Sequence, residues 1–206
     1  MPPNEIDAER TSGNIVPIAQ MRVFVGVKIA PEIASQLARL ARELEQAPVK
    51  LVAAADIHLT LVPPWNETSI SEAVEKLRVT VGRFSEFALT FQHLSYGPQP
   101  KRPRLLWVEC AASNEITTLR VALLYACGQS DERPFRPHVT LARLRRNGAA
   151  IARRHPIDRE LSFTQQVESV ELFRSPPPGA SGYQILASLR LGNSSHSISN
   201  AQFRPR

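Results

Sequence analysis

Apolar positions along the chain fall into runs whose period switches between two and about three and a half. Residues 22–29 (RVFVGVKI) are mostly β-branched or aromatic, which predicts a strand. Pro31 suits the first position of a helix, and Ile33, Leu37, Leu40 and Leu44 recur at helical spacing until Pro48 stops them. A strand is expected over about 57–62. Ser69 and Glu72 have the form of a capping box. They open a helix with Ile70, Val74, Leu77 and Val81 on one stripe and Gly82 as its stop. Phe87, Leu89 and Phe91 alternate as in a half-buried strand, and 104–109 (RLLWVE) predicts another. Ser113 caps a helix carrying Ile116, Leu119, Leu123 and Cys127, closed by Gly128. A strand over about 138–144, a helix over 148–160 and strands over 167–174 and 183–191 complete the pattern. Residues 1–20 and 193–206 are polar and aperiodic; they read as a mobile extension and a disordered tail, leaving one domain over 21–192.

One arrangement occurs twice. A strand, a helix and a second strand opening on a histidine run from Arg22 to His58 over 36 residues, and from Arg104 to His138 over 34. This has the form of a diverged internal duplication, which would set two motif strands about a pseudo-twofold axis, facing one cleft. The repeated segments are Ile57-His58-Leu59-Thr60-Leu61 and Pro137-His138-Val139-Thr140-Leu141. On a strand, alternate side chains share a face. His58 with Thr60, and His138 with Thr140, therefore point away from leucine-rich faces that can pack inward. One His-x-Thr would be weak evidence; two in matching contexts are strong. The bland alternative is two half-buried histidines on ordinary strands.

Two imidazoles beside two hydroxyls suit phosphodiester chemistry. A neutral imidazole can take a proton from an attacking oxygen, and a protonated one can give a proton to a leaving oxygen. The threonine hydroxyls can bond the non-bridging phosphate oxygens, where charge gathers. No dense set of Asp, Glu, His or Cys suggests a metal, and no cofactor is expected.

The charge balance agrees with an anionic partner. Lys plus Arg number 25 against 19 Asp plus Glu, a net charge of +6. Lys101, Arg102 and Arg104 form one basic cluster; Arg133, Arg136, Arg143, Arg145 and Arg146 form another around His138. No apolar run approaches the ~20 residues of a membrane span, and Met1–Gln20 lacks the pattern of a secretion signal, so a cytoplasmic protein is expected. Cys110 and Cys127 lie outside any CxxC pair and read as free interior thiols. With no long heptad, a monomer is expected.

At these residues the chain resembles the two-histidine phosphoesterases, and within them the LigT-like RNA 2′,3′-cyclic phosphodiesterases, also called 2′-5′ RNA ligases. The matching segments are MRVFVGVKIAPEI (21–33), DIHLTLVP (56–63), RPRLLWVEC (102–110), RPFRPHVTLARLRR (133–146), VESVELFRS (167–175) and YQILASLRL (183–191). The resemblance implies an α+β fold of two pseudo-symmetric lobes of antiparallel sheet, helices outside, around a central cleft. It implies hydrolysis of 2′,3′-cyclic phosphates on RNA 3′ ends or nucleosides, leaving a 2′-phosphate. His138 would be the base and His58 the acid, roles the sequence leaves exchangeable. Thr60 and Thr140 match phosphate-binding threonines, and Arg143 matches an arginine expected near the phosphate. Strict alternation sets Arg143 on the face opposite His138, so a bulge or strong twist after Leu141 is required, the alternative being a solvated basic strand end.

The chain departs from the family after the first motif. Val62-Pro63-Pro64-Trp65 replaces a glycine-containing turn, and the prolines should stiffen the strand's exit. Phe24, Trp65 and Tyr183 are candidates for stacking on a base, with core packing the competing reading for Phe24 and Trp65. Trp107 reads as core, and His93, His155 and His196 carry no catalytic role. Two other functions stay open: a non-catalytic RNA- or nucleotide-binding module, and 2′-5′ RNA ligation or 2′-5′ phosphodiester cleavage.

Overall fold

The computed structural model describes residues 20–192 apart from 146, 178 and 179. The expected extension (save Gln20), the tail, His196 and Arg146 lie outside the described residues. In chain order the elements are β1 (Met21–Lys28), α1 (Pro31–Ala41), β2 (Val49–Leu51), β3 (His58–Glu67), α2 (Ile70–Val81), β4 (Phe87–Gly97), β5 (Leu105–Cys110), α3 (Asn114–Ala126), β6 (His138–Leu144), α4 (Gly148–Arg154), β7 (Arg159–Val167), β8 (Ser169–Arg174) and β9 (Gln184–Arg190). Short 3-10 turns cover Arg42–Leu44 and Ala54–Asp56.

The strands run antiparallel in the order β7-β4-β5-β6-β3-β1-β8-β9, with β2 added to β6. Read outward from the middle, each half has a motif strand, the strand preceding it in the repeat, and two more. β3-β1-β8-β9 thus mirrors β6-β5-β4-β7. The halves meet at a single pair, Leu59 opposite Val139, after which β3 and β6 part. β2 takes up the free edge of β6 beyond that point, pairing Val49, Lys50 and Leu51 with Leu144, Arg143 and Ala142. The cleft is this splay.

The leucine faces of the motif strands are fully buried: Leu59 and Val139 are both 0% exposed. Helix α3 packs against β3 and α1 against β6, so each helix covers the motif strand of the other half. The predicted caps form. Ser69 Oγ accepts from Glu72 N, and Ser113 Oγ from Ile116 N. The return bond of the first capping box comes from outside the helix, since Ser69 N donates to Glu67 Oε1 at 3.1 Å.

Three expectations are corrected. β3 does not end at 62 but runs through Pro63 and Pro64 to Glu67. Val25 pairs with Val62 and Val23 with Trp65, so an extra residue is accommodated where the prolines lack donors. The helix expected over 148–160 stops at Arg154, and Arg159 opens a strand, β7. The strand expected over 167–174 is two elements, β7 ending at Val167 and β8 beginning at Ser169. Among the described residues no helix is long and apolar enough to cross a membrane. Cys110 is buried and Cys127 half-buried, both unbridged, and burial pushes each thiol up to about 12.

Candidate active site

Each histidine is the first residue of its strand, and each bonds back to the loop it has just left. His58 Nδ1 lies 2.8 Å from the carbonyl oxygen of Asp56, and His138 Nδ1 2.7 Å from that of Arg136. A carbonyl only accepts, so each Nδ1 carries the hydrogen. In the neutral ring the lone pair is then on Nε2, across the ring from that bond. The same two-residue device fixes the same tautomer in both copies.

The acceptor residues are themselves anchored. Asp56 Oδ1 accepts from the backbone N–H of Tyr183 at 3.0 Å. Arg136 donates to Glu109 and to Pro98 O, and its guanidinium lies 4.9 Å from the Trp107 ring centroid. Irregular chain leads into His138, and side chains hold it. Buried Arg120 on α3 donates to Asp131 at 2.8 Å, Arg133 donates to the same carboxylate at 2.7 Å, and Phe135 packs on the Arg120 guanidinium at 4.6 Å.

Beyond the threonines both motif strands bulge at the same place. On β6, Trp107 pairs with Thr140 but Leu106 with Ala142, so Leu141 is the extra residue. On β3, Gly26 pairs with Thr60 but Val25 with Val62, so Leu61 is extra. Leu141 and Ala142 are consecutive and both buried, which resets the alternation. Arg143 thereby returns to the face of His138 and lines the cleft, as the required bulge anticipated. Pro63 is its counterpart on β3.

The cleft has a volume of about 420 Å³, and His58, Thr60, His138, Thr140, Arg143 and Tyr183 all line it. Lys50, Asp56 and residues 180–182 line it too, with no signal in the sequence pattern that marks them. A second groove of about 440 Å³ opens beyond His138, bounded by Thr60, Pro63, Pro64, Phe135 and Arg136. Phe24 is 2% exposed and stacks on Phe173 at 4.8 Å beneath His58, and Trp65 is 9% exposed with its Nε1 bonded to Glu67. Both aromatics therefore pack and neither offers a face to a base; of the three candidates, Tyr183 alone lines the cleft. Trp107 is buried as expected and lies 4.4 Å from the His138 ring. His93 pairs with Asp158, away from the cleft linings.

The two imidazoles have different walls. Phe24, Phe173 and Tyr183 surround His58, the tyrosine edge-on at 4.8 Å. His138 has Trp107 on one side and Arg136 nearby. Burial is the first cause holding both below the usual 6.5; Arg143 presses on both rings, and Arg136 on His138. The bonds to the carbonyls work the other way, by holding a proton on Nδ1. Two rings of fixed tautomer, each with a hydroxyl and sharing one arginine, can exchange protons with a group seated between them. Among the described residues no cluster of three or more His, Cys, Asp or Glu could hold a metal ion.

Residues 30–176 match the 2′-5′ RNA ligase superfamily. Two similar curated proteins are both named RNA 2′,3′-cyclic phosphodiesterase. The Archaeoglobus fulgidus protein is 26% identical over 64% of this chain and 77% of its own length. The Bacillus subtilis protein is 28% identical over 62% and 74%. Among solved structures, a Thermus thermophilus protein superposes with a TM-score of 0.71 at 20% identity, covering 84% of this chain and 100% of its own. Escherichia coli LigT complexed with 3′-AMP gives 0.67 at 21%, covering 84% and 99%. These likenesses establish an α+β, LigT-like fold.

Proposed function

The chain belongs to the 2′-5′ RNA ligase superfamily, and from that premise we propose that it opens RNA or nucleoside 2′,3′-cyclic phosphates to 2′-phosphates, with His58 and His138 as an acid–base pair and no metal. The observation that carries this reading is the matched pair of tautomers: two histidines on one cleft, each with Nδ1 committed to a carbonyl and Nε2 left for chemistry. The name shared by the curated relatives supports the substrate class.

The step balances as follows. A water oxygen attacks phosphorus while His138 Nε2 takes its proton. The bond from phosphorus to O3′ breaks, and His58, entering as the imidazolium, gives O3′ its proton. The 2′-phosphate keeps its bond. Thr60 and Thr140 donate to the non-bridging oxygens, joined by the Arg143 guanidinium. Burial favours neutral rings in the free protein, which suits the base. The phosphate anion raises the affinity of the other ring for its proton, which supplies the acid.

The test is incubation with each nucleoside 2′,3′-cyclic phosphate and a short RNA ending in one, in the presence of a chelator, with products read by phosphorus NMR. Conversion to the 2′-phosphate is expected. A 3′-phosphate product would reverse the leaving group, dependence on added metal would remove the metal-free scheme, and no turnover of any of these substrates would overturn the activity.

A further inference from the structure

Five cationic side chains line the two grooves on the described surface besides the histidines, and they divide sharply. Arg120 and Arg133 share Asp131, and Arg136 is paired with Glu109. The groove beyond His138 is therefore lined by arginines that already have carboxylates. Lys50 and Arg143 line the histidine cleft, and among the described residues neither takes part in an ion pair.

These two are direct cross-strand partners, Lys50 on β2 opposite Arg143 on β6. Like charges set directly opposite on neighbouring strands repel and lower stability. Here the pair is brought together by a three-residue strand whose last residue, Leu51, lines the cleft with Val52 and Ala53 after it. Two cations without ion-pair partners, against the single carboxylate of Asp56 in the cleft lining, are the footprint of bound anionic charge.

A 2′,3′-cyclic phosphate carries one negative charge, and the proposed site already gives it two hydroxyls, an imidazolium and Arg143. A second cation fits a second anion on the same ligand. In a nucleotide chain the phosphate on the 5′ side of the terminal ribose is that anion. We infer that Lys50 binds the 5′-phosphate group of the terminal nucleotide, so that the cleft selects phosphorylated nucleotides and RNA ends over nucleoside cyclic phosphates. This rests on the reading of the cleft as a cyclic-phosphate site. Lys50 acts on specificity and touches no reacting atom.

Two measurements test it. The first compares kcat/KM for adenosine 2′,3′-cyclic phosphate with that for its 5′-phosphorylated form. Wild type should favour the latter about tenfold, the usual effect of one charge-assisted contact. Lys50→Gln should abolish the preference and Lys50→Arg retain it. With a single-stranded RNA ending in a 2′,3′-cyclic phosphate as substrate, the salt dependence should also lose about 0.7 from its logarithmic slope in Lys50→Gln. The second measurement needs no turnover. It compares calorimetric affinities for adenosine 2′-phosphate and adenosine 2′,5′-bisphosphate, and the same preference and its loss are expected. Equal affinities in wild type, or a preference that survives Lys50→Gln, overturns the assignment. Absence of hydrolysis with an intact bisphosphate preference would overturn the proposed activity and leave this site standing.

Discussion

Removing the Asp131 carboxylate should destabilise the protein more than removing its buried partner. Arg120 is 8% exposed and donates to Asp131 at 2.8 Å. Asp131→Ala leaves that guanidinium buried and unpaired, and breaking a buried pair in this way costs about 3–5 kcal/mol. Phe135, 4.6 Å from the guanidinium, stays in place in both proteins and leaves the difference unchanged. A loss of about 3–5 kcal/mol follows. Arg120→Met instead fills the space with an apolar chain, and Asp131 keeps its bonds to the Arg133 side chain and backbone N–H. Its carboxylate stays charged, since the Arg133 hydrogen bond is the first cause holding it below the ordinary range. The second variant should therefore lose less, about 1–2 kcal/mol. Urea unfolding measures both. The same loop carries the Arg136 carbonyl that fixes the His138 tautomer, so Asp131→Ala should also slow turnover in the native baseline. A loss below 1 kcal/mol for Asp131→Ala, or a larger one for Arg120→Met, would refute the idea that this clamp holds the approach to His138.

Three further outcomes are expected. A Cβ on Gly26 would stand 2.5 Å from the carbonyl oxygen of Leu59, so Gly26→Ala must force β1 from β3 at a cost of about 1–3 kcal/mol in urea unfolding; a change inside 0.5 kcal/mol would contradict the close approach. Both active-site histidines bind protons less readily in the folded chain than at their ordinary 6.5. The unfolded chain takes up protons first on acidification, so their contribution to stability is present above 6.5 and is lost as pH falls through the lower folded values. The melting temperature should accordingly drop less between pH 7 and pH 5 in His58→Gln/His138→Gln than in wild type, and an equal drop would count against the buried, neutral rings. Arg143→Ala should lower kcat/KM by about 10–100-fold, the scale of a lost charge-assisted bond to phosphate, and Arg143→Lys should recover part of it; an unaffected Arg143→Ala would place that side chain outside the phosphate's reach.

The long elements were legible because their apolar period was. The helix stripes ending at Leu44, Val81 and Cys127, and the serine caps at 69 and 113, need only local chemistry. The histidine strands were legible because Leu59, Leu61, Val139 and Leu141 alternate with the polar pairs. β2 was not: the three residues Val49–Leu51 carry no period, and their pairing with β6 is a tertiary event. β7 was missed because its apolar residues Leu161 and Phe163 lie among polar neighbours on the sheet's edge. The same limit hid Lys50 and Asp56, which reach the site through β2's docking and through a backbone carbonyl that leaves no trace in residue type. Arg143 was found through the resemblance and placed by geometry. Alternation argued against it, and the bulge at Leu141 reversed the argument.

If His58 and His138 act as one proton-relaying unit, their losses cannot be independent. The single-turnover rate on a 2′,3′-cyclic phosphate for wild type, His58→Ala, His138→Ala and the double variant, each checked for folding, decides it. Each single substitution should cost about 10²–10⁴-fold, and the double variant should lose little more than the worse single one, because half a relay does little. Near wild-type turnover in either single variant, or losses that multiply in the double, would contradict the account.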